Sequence, residues 1–185
     1  MIVLDTHVWV WWVHQDDRLS SKAKAFIAQH ETRHIGVSAI SCWEVAKLVE
    51  RGRLKLPMPT DQWLHAALAY PGVKLLELSP DIAADACCLP GEFPSNPADQ
   101  TIIATARNHG SDLVTMDRRI LSYPHVPLAR MDKSESDFAM RAFGCGCIRT
   151  SWPWPLISPG TETQPRWVLA RAAWRRLRRG CGGGW

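Results

Sequence analysis

Four short apolar runs, each bounded by polar or turn-forming residues, punctuate the first two thirds of the chain: Ile2–Leu4, Ile35–Ser38, Val73–Leu78 and Leu113–Met116. Runs of this length and bounding predict buried strands. Between them, apolar positions recur every three or four residues, the spacing of a helix with one buried face. An aromatic-rich helical segment is predicted from about Thr6 to Val13, and a second from Ser20 or Ser21 to Gln29 with Ala23, Phe26 and Ile27 on its apolar side. Ser38 or Ser41 opens a helix reaching Glu50, Thr60 one reaching Tyr70, Ser79 with Pro80 one reaching about Cys88, and Asn96 with Pro97 one reaching His109. A short helical turn follows Asp117. Gly52, Pro57, Pro71-Gly72, Gly110 and the Pro- and Gly-rich stretch 89–96 are the breaks.

Strands alternating with helices require crossovers, and crossovers of one hand give a parallel sheet. The expectation is an α/β fold in three layers, with a central parallel sheet of four to five strands flanked by helices. The pattern stops near residue 130. Residues 1–130 therefore read as one domain, and 131–185 as an atypical basic C-terminal extension, expected to be poorly ordered.

Charge sharpens that division. The first 130 residues carry 13 Lys and Arg against 14 Asp and Glu, the remainder 9 against 4, within a net charge of +4. Nucleic-acid affinity in the body must then come from local patches and metal, not from global charge. Within the extension, Arg166–Arg179 is a candidate RNA-, membrane- or partner-binding segment. No apolar run approaches the ~20 residues of a membrane span, and MIVLD lacks the basic start of a signal peptide, so cytoplasmic residence without a membrane partner is expected. Cys42, Cys87 and Cys88 fall on predicted helices and are expected to be buried thiols. Cys145-x-Cys147 has no second ligand pair to complete a zinc site, and Cys181 stands alone.

The candidate chemistry lies in four acids: Asp5 after the first strand, Glu44 in a helix, Asp99 in the first turn of another, and Asp117 after the last strand. Each has a plain structural alternative. Asp5 and Asp117 sit where helix caps belong, Asp99 where a helix dipole favours an anion, and Glu44 within reach of Lys47. Glu44 and Asp99 nevertheless share their helix sides with Ile40 and Leu48, and with Ile102, Ile103 and Ala106, so both face inward. In a parallel sheet, strand ends of this kind gather at one edge. Carboxylates brought together there repel unless a hard cation lies between them, which points to Mg²⁺, with Mn²⁺ as a substitute. Thr6, Asn96 and Thr115 are candidates to support the carboxylates from behind. Arg51, Arg53, Lys55, Arg118 and Arg119 are candidate RNA phosphate contacts. His7 is expected to be packed or exposed in preference to serving the site.

These residues lie in the stretches MIVLDTHVWVWW, VSAISCWEVAKLVERGRLKLP and NPADQTIIATARNHGSDLVTMDRRI, and there the chain resembles PIN-domain proteins, more closely the VapC-type toxins of toxin–antitoxin pairs. The resemblance covers about residues 1–130. It implies a metal-dependent ribonuclease using Asp5, Glu44, Asp99 and Asp117 around one or two Mg²⁺ ions, and products with 5′-phosphate and 3′-hydroxyl ends. It also implies a cognate antitoxin and a homodimer. Many relatives carry Asp at the position of Asn96 and Arg at that of Gln100. Trp9, Trp11 and Trp12 suit either a contact between copies or plain core packing. Two rival readings remain: a non-catalytic, metal-stabilised PIN-like binding module, and an aspartyl-phosphate phosphatase. The second is disfavoured because position 7, where that chemistry wants another acid, is His.

Overall fold

The computed structural model describes residues 1–93 and 96–129. The extension 131–185, with Cys145, Cys147, Cys181 and Arg166–Arg179, lies outside the described residues.

Eleven elements follow one another in the described chain: β1 (Ile2–Leu4), α1 (Thr6–His14), α2 (Ser21–Gln29), β2 (Ile35–Ser38), α3 (Ala39–Glu50), α4 (Thr60–Leu68), β3 (Val73–Leu76), α5 (Pro80–Cys87), α6 (Pro97–Asn108), β4 (Asp112–Val114) and α7 (Arg118–Leu121). The four strands are all parallel, in the order β3-β2-β1-β4. After β4 the chain turns back, and Leu128 makes a single parallel bridge to Leu113. That bridge covers part of the outer edge of β4.

The central strands β1 and β2 are buried on both faces, as crossover helices demand. Successive residues of β1 point to opposite sides. Ile2 and Leu4 enter a core with α1 to α4, built around Val8, Trp9, Ile27, Val45 and Trp63. Val3 enters a second core with Ile102, Ile103, Leu113, Ile120 and Tyr123. The aromatic segment is spent in the first of these. Trp9 is fully buried with its ring 5.2 Å from that of Trp63, and Trp12 meets Tyr70 edge-on at 4.7 Å. Of the two roles open to those tryptophans, core packing within one chain is the one found.

Local chemistry sets the element ends. Ser20, Ser79 and Asn96 accept from the amides of Ala23, Ile82 and Ala98, as helix caps do. Gly72 enters β3 at φ 84°, and a Cβ there would stand 2.1 Å from the Glu31 carbonyl oxygen, so no other residue fits this turn. β4 stops at Val114, two residues short of its apolar run, where the Thr115 hydroxyl turns to Asp5, just past β1, and the Met116 amide to His7 of α1. β3 stops at Leu76, leaving Leu75 and Leu78 exposed at the edge of the sheet.

The cysteine expectation is corrected. Cys87 and Cys88 are exposed and Cys42 is half-buried. α5 buries only Ile82 and Ala86, one turn apart, and the residues just beyond Ala86 rotate outward.

Candidate active site

Connections run from β1 to β2 and β3 on one side, then return to place β4 on the other. The point of reversal lies between β1 and β4, where a crevice opens beyond the strand ends. Asp5 and Thr115 are the first residues past that rung: Leu4 pairs with Val114, and the Asp5 amide donates to the Val114 carbonyl at 3.0 Å. α3 follows β2 directly and brings Glu44 to the same edge, while α6, buried almost all round, presents Asp99 from its first turn.

Asp5 does not cap α1. Its Oδ2 accepts the Thr115 hydroxyl at 2.6 Å, and its Oδ1 lies 3.4 Å from His7 Nδ1. Burial pushes its pKa up, but the charge and hydrogen bond of His7, with the hydrogen bonds of Thr115 and the Thr6 amide, outweigh burial and hold the carboxyl below its ordinary value. Thr115 also accepts the Asp117 amide at 3.0 Å, so one hydroxyl ties two of the acids together.

Glu44 Oε2 accepts the Thr6 hydroxyl at 2.6 Å. Lys47, its candidate ionic partner, instead reaches Glu50 at 2.7 Å, so no salt bridge explains the inward carboxyl. Burial, reinforced by the charges of Asp5 and Asp99, pushes Glu44 up to about 7. Asp99 is pushed up to about 6 by burial and by the charges of Asp5 and Asp117, against the opposing pull of Asn96 and Arg119. Its Oδ2 is buried without a hydrogen bond, and Arg119 Nη2 lies 3.6 Å from it. Asp117 does cap its helix, accepting the Arg119 amide at 2.8 Å, and also holds the Arg119 guanidinium at 2.9 Å.

Each candidate can now be placed. Asp5 acts electrostatically on both Glu44 and Asp99, and Asp117 acts on Asp99, so the four acids gather at the hollow beyond the strand ends. Thr6 and Thr115 brace two of them, and Asn96 caps α6 beside a third. Arg119 reaches into the acids, whereas Arg118 is exposed on the same turn. Arg51 and Lys55 are exposed beyond the far end of α3, with Arg53 half-buried between them.

His7 is the residue that sequence reasoning underrated. Its Nε2 accepts the Met116 amide at 3.1 Å, which leaves the proton on Nδ1, facing Asp5. Burial lowers its pKa, but Asp5 and the more distant Asp117 and Glu44 outweigh burial and raise it, while the Met116 amide at Nε2 pulls the other way. The Asp-Thr-His order alone held a clue, since a residue two places beyond Asp5 lies in the first turn of α1.

The donor set suits a hard cation. It is all oxygen, Asp99 and Asp117 share the Arg119 guanidinium, and one buried carboxylate oxygen of Asp99 lacks a hydrogen bond. Among the described residues no group of three or more His, Cys, Asp or Glu side chains is placed so as to hold a metal ion. Thr6, Thr115 and Arg119 occupy oxygens that a cation would share or take over.

Comparison with known proteins agrees with this architecture. Residues 2–126 match the PIN domain family. The chain is 40% identical over 124 residues to Ribonuclease VapC22 of Mycobacterium tuberculosis (strain ATCC 25618 / H37Rv), an alignment covering 67% of this chain and 92% of that protein. Its fold is similar to that of a chain in the crystal structure of VapBC2 from Rickettsia felis bound to a DNA fragment from their promoter. There the TM-score is 0.54 at 18% identity, covering 70% of this chain and 98% of that one.

Proposed function

The chain belongs to the PIN domain family, and on that premise we propose that it is a Mg²⁺-dependent endoribonuclease of the VapC type, the toxin of a toxin–antitoxin pair. The observation that carries the reading is the crowding of Asp5, Glu44, Asp99 and Asp117, with Asp99 and Glu44 pushed up to about 6 and 7 by burial and by their acidic neighbours. Such crowding is costly in the bare protein and is relieved by a cation. The 40% identity to a ribonuclease supports RNA as the substrate.

Asp5 and Asp99 would be the principal holders of the metal, with Glu44 and Asp117 as further oxygen donors. A bound Mg²⁺ would lower the pKa of a water and offset charge developing on the scissile phosphate. Asp5 suits a permanent anionic ligand, because Thr115 and His7 fix its orientation and keep it ionised. A carboxylate not tied to the metal, with Glu44 the candidate, would orient the attacking water or take its proton. Thr6 aims that carboxyl by donating to Oε2. Arg119 stands half-exposed at the lip of the hollow, where a guanidinium can meet an RNA phosphate.

A small antitoxin covering the hollow, a homodimer and cytoplasmic residence complete the proposal. Among the described residues no helix is long and apolar enough to cross a membrane.

The test is RNA cleavage by Asp5→Asn and Asp99→Asn variants with and without Mg²⁺. Each is expected to lose roughly 100-fold or more in kcat while remaining folded. If both cleave as fast as the parent, the nuclease assignment falls and the metal-stabilised binding module takes its place.

A further inference from the structure

Five tryptophans lie in the described residues, and four of them, Trp9, Trp11, Trp12 and Trp63, are buried to 7% exposure or less. Trp43 is 54% exposed, the most open of the large apolar side chains. It precedes Glu44 in the middle of α3, so its backbone is held one residue from a carboxylate of the proposed site. On a helix, positions four apart share a side. Lys47 and Arg51 therefore continue the Trp43 side toward the C-terminal end of α3, and both are solvent-accessible. The stripe spans eight residues, roughly 12 Å along the axis, from the acidic hollow outward.

Accepting the nuclease reading above, we infer that Trp43 is a stacking platform for a nucleobase of single-stranded RNA beside the scissile phosphate, with Lys47 and Arg51 tracking the backbone beyond it. The acids of the hollow can act on a phosphodiester but offer no flat apolar face to a base. An exposed indole supplies that face, and every base can use it. Alternating aromatic and cationic groups is the surface that single strands favour. A protein partner is the weaker occupant, because a protein interface needs a contiguous apolar patch. Trp43 is instead flanked on its exposed side by the charged residues Lys47, Glu50 and Arg51. Glu50 pairs with Lys47, which holds the lysine along the helix and leaves Arg51 as the outer cation.

The inference is tested with the full-length chain and a labelled RNA oligonucleotide that the parent cleaves, carrying a single abasic ribose at each position in turn. Trp43→Ala should raise KM about tenfold with kcat little changed, and should weaken binding, measured by anisotropy without divalent ions, by a similar factor. Trp43→Phe should recover most of both, and Trp43→Leu should not. The decisive signature is coupling: one abasic position near the cut should weaken the parent and leave Trp43→Ala unaffected. Equal binding and cleavage by parent and Trp43→Ala would overturn the inference, and so would a loss that Leu repairs as well as Phe. A defect confined to capture of a co-expressed antitoxin would overturn it in favour of a protein contact. If the parent itself cleaves no RNA, the nuclease reading fails and takes this inference with it; cleavage by the parent with silent Trp43 variants removes this inference alone.

Discussion

Thr115 donates its hydroxyl hydrogen to Asp5 Oδ2 at 2.6 Å across 110 positions of sequence, and the Thr115 hydroxyl oxygen accepts the amide of Asp117. One threonine thus joins the ends of β1 and β4 and orients two candidate ligands. Thr115→Val keeps the shape and deletes the bond. It should cost about 1 kcal/mol of stability and roughly 10- to 100-fold in divalent affinity or cleavage rate, with Thr115→Ser restoring most of both. Urea unfolding and Mg²⁺ titration of cleavage measure the two effects separately. A valine variant with parental Mg²⁺ dependence would reduce Thr115 to a structural link.

Acid crowding also sets a pH signature. Asp99 and Glu44 have raised values in the folded chain, about 6 and 7, against 3.8 and 4.5 as ordinary carboxyls. The folded state therefore holds these protons more tightly than the unfolded state. Their contribution to stability is complete below about pH 4 and is lost as pH rises through 6 to 7. Asp5 shifts the other way, and its contribution fades only in more acid solution. With divalent ions chelated, the unfolding midpoint should fall between pH 5 and about pH 8, and saturating Mg²⁺ should flatten that fall. Asp99→Asn should flatten it without Mg²⁺. A flat profile in the chelated parent would contradict the burial of these carboxyls.

Arg119 holds Asp117 at 2.9 Å and stands 3.6 Å from Asp99, in the position of an internal counter-ion. Its side chain is half-exposed, so the pairing is modest in energy and exchangeable. Arg119→Ala should tighten Mg²⁺ binding roughly fivefold, the effect of removing about 1 kcal/mol of repulsion at this range in a solvated site. It should also raise KM for RNA. Calorimetric titration with Mg²⁺ reads the first and cleavage kinetics the second. Weaker Mg²⁺ binding would mean that the arginine builds the hollow instead of neutralising it.

The order of strands and helices was legible because its signals are local. Ser20, Ser79 and Asn96 cap where serine and asparagine ought to, and the four strands begin within a residue of their apolar runs. Asp5, Asp99 and Asp117 could be singled out because strand ends and first helical turns are marked in the sequence, and Glu44 because it shares a helix side with Ile40 and Leu48; the crossover rule brings those marks to one edge. Their partners could not be read. Thr115 to Asp5 and Met116 to His7 are contacts across more than 100 residues, decided by the register of β1 against β4. Lys47 could reach Glu44 or Glu50 on helical spacing alone, and only the rotation of α3 selects Glu50. Cys87 and Cys88 show the same limit, since which side of a two-turn helix is buried depends on the neighbour it packs against.

The most direct test of the central claim is a crystal of the protein soaked in Mn²⁺ and measured for anomalous scattering. The account predicts a peak within coordination distance, about 2.0–2.3 Å, of carboxylate oxygens of Asp5 and Asp99, with Arg119 displaced from Asp99. A map at saturating Mn²⁺ with no peak in the hollow, and Arg119 still holding both aspartates, would contradict it.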